Sequence, residues 1–370
     1  PSVEATNALG GPVAAQGTPP SLPWPAKGSA AVGVSGLGLL AESNPDVQPR
    51  PIASVAKIMT AVAVLDAKPL QVAQPGPSIE VTAEDVAVRE RREAEGESTV
   101  AVAAGTSLTQ RQALEALLIP SGNNVGEILG RWIAGSPEAF VGRMNAKAKE
   151  LGLDHTRFED VSGVAAGSVS TPSDLVKLAL VAMDHPVIAE IVPMKQATLP
   201  VAGTVYNVNS ELGKEGIFGI KTGWTSSAGA CFAFASRHQV DGRPVTIVGA
   251  VMGQDTLAEA FEASKALIRA VRPGLSVQPL VAEGQKAARY QAPWGAGVDV
   301  VTTRAVTAVG WPGRQVQTRL RVEPVKGAVA AGAGVGTLTV TFGGVTENVP
   351  LVTADALPAP GRGWRLLRRG

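Results

Sequence analysis

The sequence predicts an α+β fold, an antiparallel sheet flanked by helices, followed by a small all-β domain. Three observations predict it. Before about Thr204 the apolar residues recur mainly at helical spacing. Between Gly216 and Val251 three runs take the strand period, the last two joined by Asp241-Gly242, a strong hairpin signal. Beyond Arg272-Pro273-Gly274 the text is strand-like throughout, with Gly-rich turns. A chain of 370 residues is long enough for a sizeable core and two domains. The expected division is a Pro/Gly-rich tail over 1–28, a first domain over 29–272 and a β-sandwich-like domain over 275–370.

In order, Pro12, Pro19, Pro20, Pro23 and Pro25 mark residues 1–28 as a tail or loose wrap. Ala30 to Val34 and Leu37 to Ala41 read as a β-hairpin. Ile58, Met59, Ala61, Val62 and Leu65 recur as a buried helix opened by Ala53-Ser54-Val55-Ala56-Lys57. The charge-dense stretch Val81 to Glu97 reads as solvated surface. A helix through Ala113, Leu114 and Leu117 stops at Pro120, and Ser121-Gly122-Asn123-Asn124 turns directly into another through Val125, Ile128, Leu129, Trp132 and Ile133. Further helices are expected over Pro137 to Leu151, from a Ser173-Asp174 cap to Met183, and over Thr256 to Val271. Strands are expected over 216–223, 229–235 and 245–251, then over 298–309, 315–322, 337–342 and 345–353.

Composition excludes several functions. A net charge of +1, with no basic run interleaved with aromatics, gives no argument for nucleic acid. One cysteine, Cys231, allows no internal disulfide and reads as a core residue. His155, His185 and His238 have no metal-ligand spacing, so neither metal nor cofactor is expected. No run of about 18 apolar residues is present to span a membrane. The chain begins at Pro1 without an initiator Met and reads as a mature or trimmed form.

The chemistry is carried by Ser54 and Lys57, three apart and therefore on one helix face. A serine is a poor nucleophile until a base takes its proton, and burial beside a second cation can make a lysine that base. Ser54/Lys57, Ser121/Asn123 and Lys221-Thr222-Gly223 follow in order on a helix start, a helix–helix link and a strand. Together they resemble the triplet of penicillin-recognising serine enzymes. More closely, the chain resembles the serine-type D-alanyl-D-alanine carboxypeptidases, the low-molecular-mass penicillin-binding proteins. Leu151-Gly152-Leu153-Asp154-His155-Thr156-Arg157-Phe158, Ser170-Thr171-Pro172-Ser173-Asp174-Leu175 and Gly219-Ile220-Lys221-Thr222-Gly223-Trp224-Thr225 agree with it. The resemblance covers about residues 29–272 well and the C-terminal β text, at Val349-Pro350-Leu351-Val352, more weakly.

The resemblance implies a penicillin-binding-protein/β-lactamase-like catalytic domain over 29–272 and an exported enzyme that removes the terminal D-Ala of peptidoglycan stem peptides and is acylated by β-lactams. It implies Ser54 as nucleophile, Lys57 as base and Ser121 as proton relay, with Lys221 keeping Lys57 neutral. Asn123 would hold the substrate amide and Lys57. Lys221 and Thr222, with Gly223 beside them, would receive the terminal carboxylate, and the N–H groups of Ser54 and Trp224 would form the oxyanion hole. The expected place is the outer face of the cell membrane or the cell wall. The basic residues Arg365, Arg368 and Arg369 could flank a removed anchor or form a solvated tail.

Two departures stand out. The arginine usual after the Val-Met-Gly strand end is missing between Met252 and Phe261, so Lys221 is expected to carry more of the carboxylate's charge. An arginine placed at Ala260 is expected to restore it. Val125-Gly126 replaces a small Ala pair, a tolerable change. The rivals are a class A β-lactamase and a catalytically weak peptidoglycan-binding homologue. The lactamase needs a Glu followed four residues later by Asn; Glu159 is followed by Gly163.

Overall fold

A computed structural model describes residues 2–9, 13–14, 17–362 and 364. The chain divides into two compact units, one of Ser21–Gln239 with Pro244–Arg272, the other of Pro1–Pro20, Val240–Arg243 and Pro273–Gly370.

The first unit is built on a five-stranded sheet of β1 (Ser29–Val34), β2 (Gly38–Glu42), β3 (Ile217–Thr225), β4 (Gly229–Val240) and β5 (Arg243–Gln254), ordered β3-β4-β5-β1-β2. The chain leaves from β2, builds the helices, and returns to pair β5 antiparallel with β1, Ala250 opposite Ala31. Every residue of β1 is buried, which is why Ser-Ala-Ala-Val-Gly-Val reads as a continuous small apolar run rather than an alternation. At the predicted hairpin Asp241 and Gly242 have φ of 48° and 77°, the left-handed pair that a two-residue turn between twisted strands requires.

Helix α1 (Lys57–Ala67) is buried from Lys57 to Leu65. α2 (Ala83–Ala94) and α3 (Gln110–Leu118) are followed by α4 (Asn123–Ala134), α5 (Pro137–Glu150) and α6 (Pro172–Asp184); α3, α4, α5 and α6 all pack on α1. A helix that is apolar around its whole circumference must be covered on every side. Its first residue, Lys57, is carried into that interior with it.

The structure adds one helix to the sequence reading and corrects the cap of another. The charge-dense stretch contains α2, started by a capping box in which Thr82 and Asp85 bond each other's backbone N–H at 2.8 and 3.2 Å. Few apolar residues mark its face, so periodicity gave no sign of it. Helix α6 is capped by Thr171, whose Oγ1 accepts from the Asp174 N–H, with Pro172 at its first position. Asp174 instead accepts from the N–H of His155 and the hydroxyl of Thr156. Two further corrections, for residues 1–28 and 298–309, follow below.

In the other unit a seven-stranded sheet runs in the order Ala5–Asn7, Lys286–Gln291, Gly297–Thr302, Val345–Thr353, Gly334–Phe342, Gln315–Val322, Val13–Ala14. The strand expected over 298–309 is two, Gly297–Thr302 and Val306–Gly310, and the second pairs with Ser276–Val281. The N-terminal residues are therefore no loose tail: Ala5–Asn7 and Val13–Ala14 form both outer strands, and Ser2–Val3 pairs with Val325–Lys326. Strands of two or three residues are too short to show a period.

Candidate active site

Ser54 lies in a single 3-10 turn, Ala53–Ala56, that runs directly into α1. Ala53, just before it, has φ of 48°, a conformation costly for an L-residue and found where surrounding structure over-determines it. Ser121, in the link between α3 and α4, has φ of 68°. Both hydroxyls therefore sit at forced turns.

They meet at one amine. Lys57 Nζ lies 2.7 Å from Ser54 Oγ, 3.2 Å from Ser121 Oγ, 2.5 Å from Asn123 Oδ1 and 3.2 Å from the Ser162 carbonyl. Lys57, Ser121 and Asn123 are buried, while Ser54 is half-buried and open to solvent. An ammonium has three protons and no acceptor; the neutral amine has two and a lone pair to which a hydroxyl can donate. The electrostatics favour the neutral form. Burial, and then the charge of Lys221, hold the Lys57 pKa well below the usual lysine range; Arg92 acts the same way, against Asp160 and Glu97. Lys221 is itself buried and lowered to about 7. A neutral amine 2.7 Å from a serine hydroxyl can take its proton.

Strand β3 closes the other side. A Cβ on Gly223 would fall 2.7 Å from the Ser54 nitrogen and 2.9 Å from Ala53 Cβ, so only glycine lets the strand lie against the nucleophile's backbone. The same strand presents Lys221, whose Nζ donates to the Thr222 carbonyl at 3.0 Å, and Thr222, nearly buried. Trp224 continues it, paired with Ala230, and is 59% exposed. The sequence-predicted residues thus gather at the start of α1, the α3–α4 link and β3.

A loop seats the turn from behind. Asp160 accepts from the hydroxyls of Ser162 and Ser168 and from the N–H of Val164. Thr60 Oγ1 donates to the Val161 carbonyl at 2.6 Å. Gly163, with φ of 79°, comes so close to Ala53 that a Cβ would fall 1.8 Å from the Ala53 carbonyl oxygen. Glu159 is exposed and accepts from the Gly167 N–H.

Sequence reasoning missed Asp160, Ser162, Arg92, Glu97, Glu127 and Arg50. Asn123 Nδ2 donates to Glu97 Oε2 at 2.7 Å, and Glu97 and Glu127 both pair with Arg92. No spacing singles these out from the surrounding charges. The guanidinium of Arg50 lies at the end of β5, where a Cβ on Gly253 would fall 2.6 Å from its Nη1. Ala260, by contrast, is fully buried in the first turn of α7 (Leu257–Val271). The expectation that an arginine at Ala260 would serve the strand end is therefore corrected: a side chain there enters the core.

Compared with known proteins, residues 29–256 match the peptidase family described as D-alanyl-D-alanine carboxypeptidase. The chain is 32% identical over 249 residues to the D-alanyl-D-alanine endopeptidase of Escherichia coli, 63% of this chain and 74% of that one. The structure of a DD-transpeptidase from Streptomyces aligns with a TM-score of 0.60 at 25% identity, over 69% of this chain and 99% of the other. Penicillin binding protein 5 from Haemophilus influenzae aligns at 0.66 and 20% identity, over 93% and 100%, a likeness of fold.

Proposed function

The chain belongs to the D-alanyl-D-alanine carboxypeptidase family of serine peptidases, and from that premise we propose that it removes the terminal D-Ala of peptidoglycan pentapeptide stems through a Ser54 acyl-enzyme. The observation that supports this best is the buried Lys57 amine between the hydroxyls of Ser54 and Ser121. Ser54 Oγ attacks the carbonyl of the penultimate residue as its proton passes to Lys57. The developing oxyanion lies between the N–H groups of Ser54 and Trp224. The proton then reaches the leaving D-Ala nitrogen by way of Ser121, and the C–N bond breaks. Water enters as D-Ala leaves, gives a proton back through the same groups and releases the shortened peptide. Asn123 holds the amine and the substrate amide, while Lys221 and Thr222 receive the terminal carboxylate, which pairs best with a cation in a low-dielectric pocket. A penicillin presents its strained amide to the same serine and stays as the penicilloyl ester.

An endopeptidase reading is favoured by the Escherichia coli relative, which carries that name. It uses the same acyl-enzyme with a cross-linked amine as leaving group. Two features speak against a β-lactamase. Glu159 faces solvent, and the place of the required Asn is taken by Gly163, packed against the Ala53 backbone. A merely binding homologue would not need a deprotonated lysine between two serines.

The reading places the enzyme outside the cytoplasmic membrane, where peptidoglycan is. Among the described residues no helix is long and apolar enough to cross a membrane, and Arg365, Arg368 and Arg369 lie outside them. Mass spectrometry of a stem pentapeptide and of a cross-linked dimer, each with wild type and Ser54→Ala, tests the proposal. D-Ala release from the pentapeptide that vanishes in the variant supports it. Cleavage of the dimer alone moves the assignment to endopeptidase, and activity in the variant refutes it.

A further inference from the structure

The part-buried charges behind Asn123 have so far no task. Glu97, just past the end of α2, uses one oxygen, Oε2, to accept from both Asn123 Nδ2 and Arg92 Nη1. Arg92 in turn pairs through Nε and Nη2 with Oε1 of Glu127, one helical turn beyond Asn123 on α4. The three side chains are only 12–16% exposed. Burial by itself opposes the charge on Arg92, but the two carboxylates outweigh it and raise its pKa.

An amide is nearly symmetric in shape, and which end faces Lys57 depends on what holds the other end. An ionised carboxylate only accepts, so Glu97 binds the NH2 and leaves Oδ1 to face Lys57 Nζ at 2.5 Å. Reversed, the amide would offer its NH2 to the amine, and the lone pair that must take the Ser54 proton would be occupied.

We propose that Glu97 is a positioning residue for the base: it fixes the Asn123 amide so that the lone pair of Lys57 stays free for Ser54, while Arg92 offsets the negative charge that this brings near Lys57. The inference rests on the functional reading above, with Lys57 as base. The groups that bear on Lys57 are Lys221 from β3, Asp160 from the loop behind it, and Arg92 and Glu97 from α2 and its end. Of these, Glu97 favours the charged amine and Arg92 the neutral one.

The test is the pH profile of penicillin acylation for the full chain and three variants, with thermal melting alongside. Glu97→Ala frees the amide and should lower the limiting acylation rate roughly 10- to 150-fold, the range for losing one charge-assisted hydrogen bond. Glu97→Gln keeps an oxygen for Asn123 but removes the charge, so the plateau should persist and the acid limb move to lower pH. Arg92→Met leaves Glu97 uncompensated and should move that limb to higher pH. A Glu97→Ala plateau within about twofold of wild type, or limbs of the other two that move together or not at all, overturns the proposal. If Glu97→Ala melts before it can be assayed, the opposite shifts of the other two decide. A wild type that forms no penicilloyl adduct refutes the functional reading itself and takes this inference with it; normal wild-type acylation with unmoved variants refutes this inference alone.

Discussion

Replacing Gly163 by Ala should damage the nucleophile without touching it. The added Cβ would fall 1.8 Å from the Ala53 carbonyl oxygen, 2.6 Å from its carbon and 2.9 Å from Ala56 Cβ. Contacts to backbone under 3.0 Å are not tolerated, so the loop and the Ser54 turn must part by at least about 1 Å. A φ of 79° adds about 1–2 kcal/mol for an L-residue, and forced repacking another 1–3. The expected loss is about 2–5 kcal/mol, or roughly 5–15 °C in melting temperature for a unit of this size. A reacting atom displaced by about 1 Å costs on the order of 100-fold in rate, so penicillin acylation of Ser54 should slow by about that factor. Gly152→Ala is the matched control: φ is 64° there, but no heavy atom lies within 4 Å of the added Cβ. It should lose about 1–2 kcal/mol and acylate normally. If both variants melt alike, or if Gly163→Ala acylates within about threefold of wild type, the loop does not seat the nucleophile and the reasoning fails.

The same geometry sets further expectations. Ser54→Ala should melt like wild type and form no penicilloyl adduct by mass spectrometry; an adduct elsewhere would displace Ser54 from its role. Acylation should fall on acidification as Lys57, depressed chiefly by burial and then by Lys221, takes up its proton, and a profile flat from about pH 5 to 9 would contradict this. For Lys221 the folded pKa of about 7 lies below the ordinary 10.5, so the unfolded chain binds the proton first and stability falls as pH drops through that window. Lys221→Met should therefore stabilise the fold below pH 7, on the order of 5 kcal/mol, and converge on wild type above about pH 10, while losing preference for substrates with a free carboxylate. Denaturant melts at pH 6 and 10 showing the same difference would refute it.

The reacting residues were legible because their chemistry depends on local spacing. Ser54 and Lys57 share a face at any helix start, and Ser121 and Asn123 had to stand at the link because Pro120 ends one helix and Asn123 opens the next. The strand Lys221-Thr222-Gly223 and the Asp241-Gly242 turn announced themselves through period and turn chemistry. What supports those residues was not legible. Glu97 lies in a stretch that resembles any solvated charged surface, and only the tertiary fold lays it against Asn123. Asp160 works through a loop with no period, and Arg50 reaches Gly253, some 200 positions away in the chain. The two-residue N-terminal strands depend wholly on partners about 300 residues later.

Those N-terminal strands have a geometric consequence. Ala5–Asn7 and Val13–Ala14 border opposite margins of a seven-stranded sheet. Laid flat, six gaps of about 4.8 Å would separate them by about 29 Å. The chain from Asn7 to Val13 can stretch only about 22 Å at full extension. The sheet must therefore roll up, and one short ribbon works as a clasp over both of its raw margins. Its edge strands are only three and two residues long, too short to offer another sheet much unpaired backbone. Its margins join residues about 300 positions apart, so this unit can close only once both stretches of the chain are present.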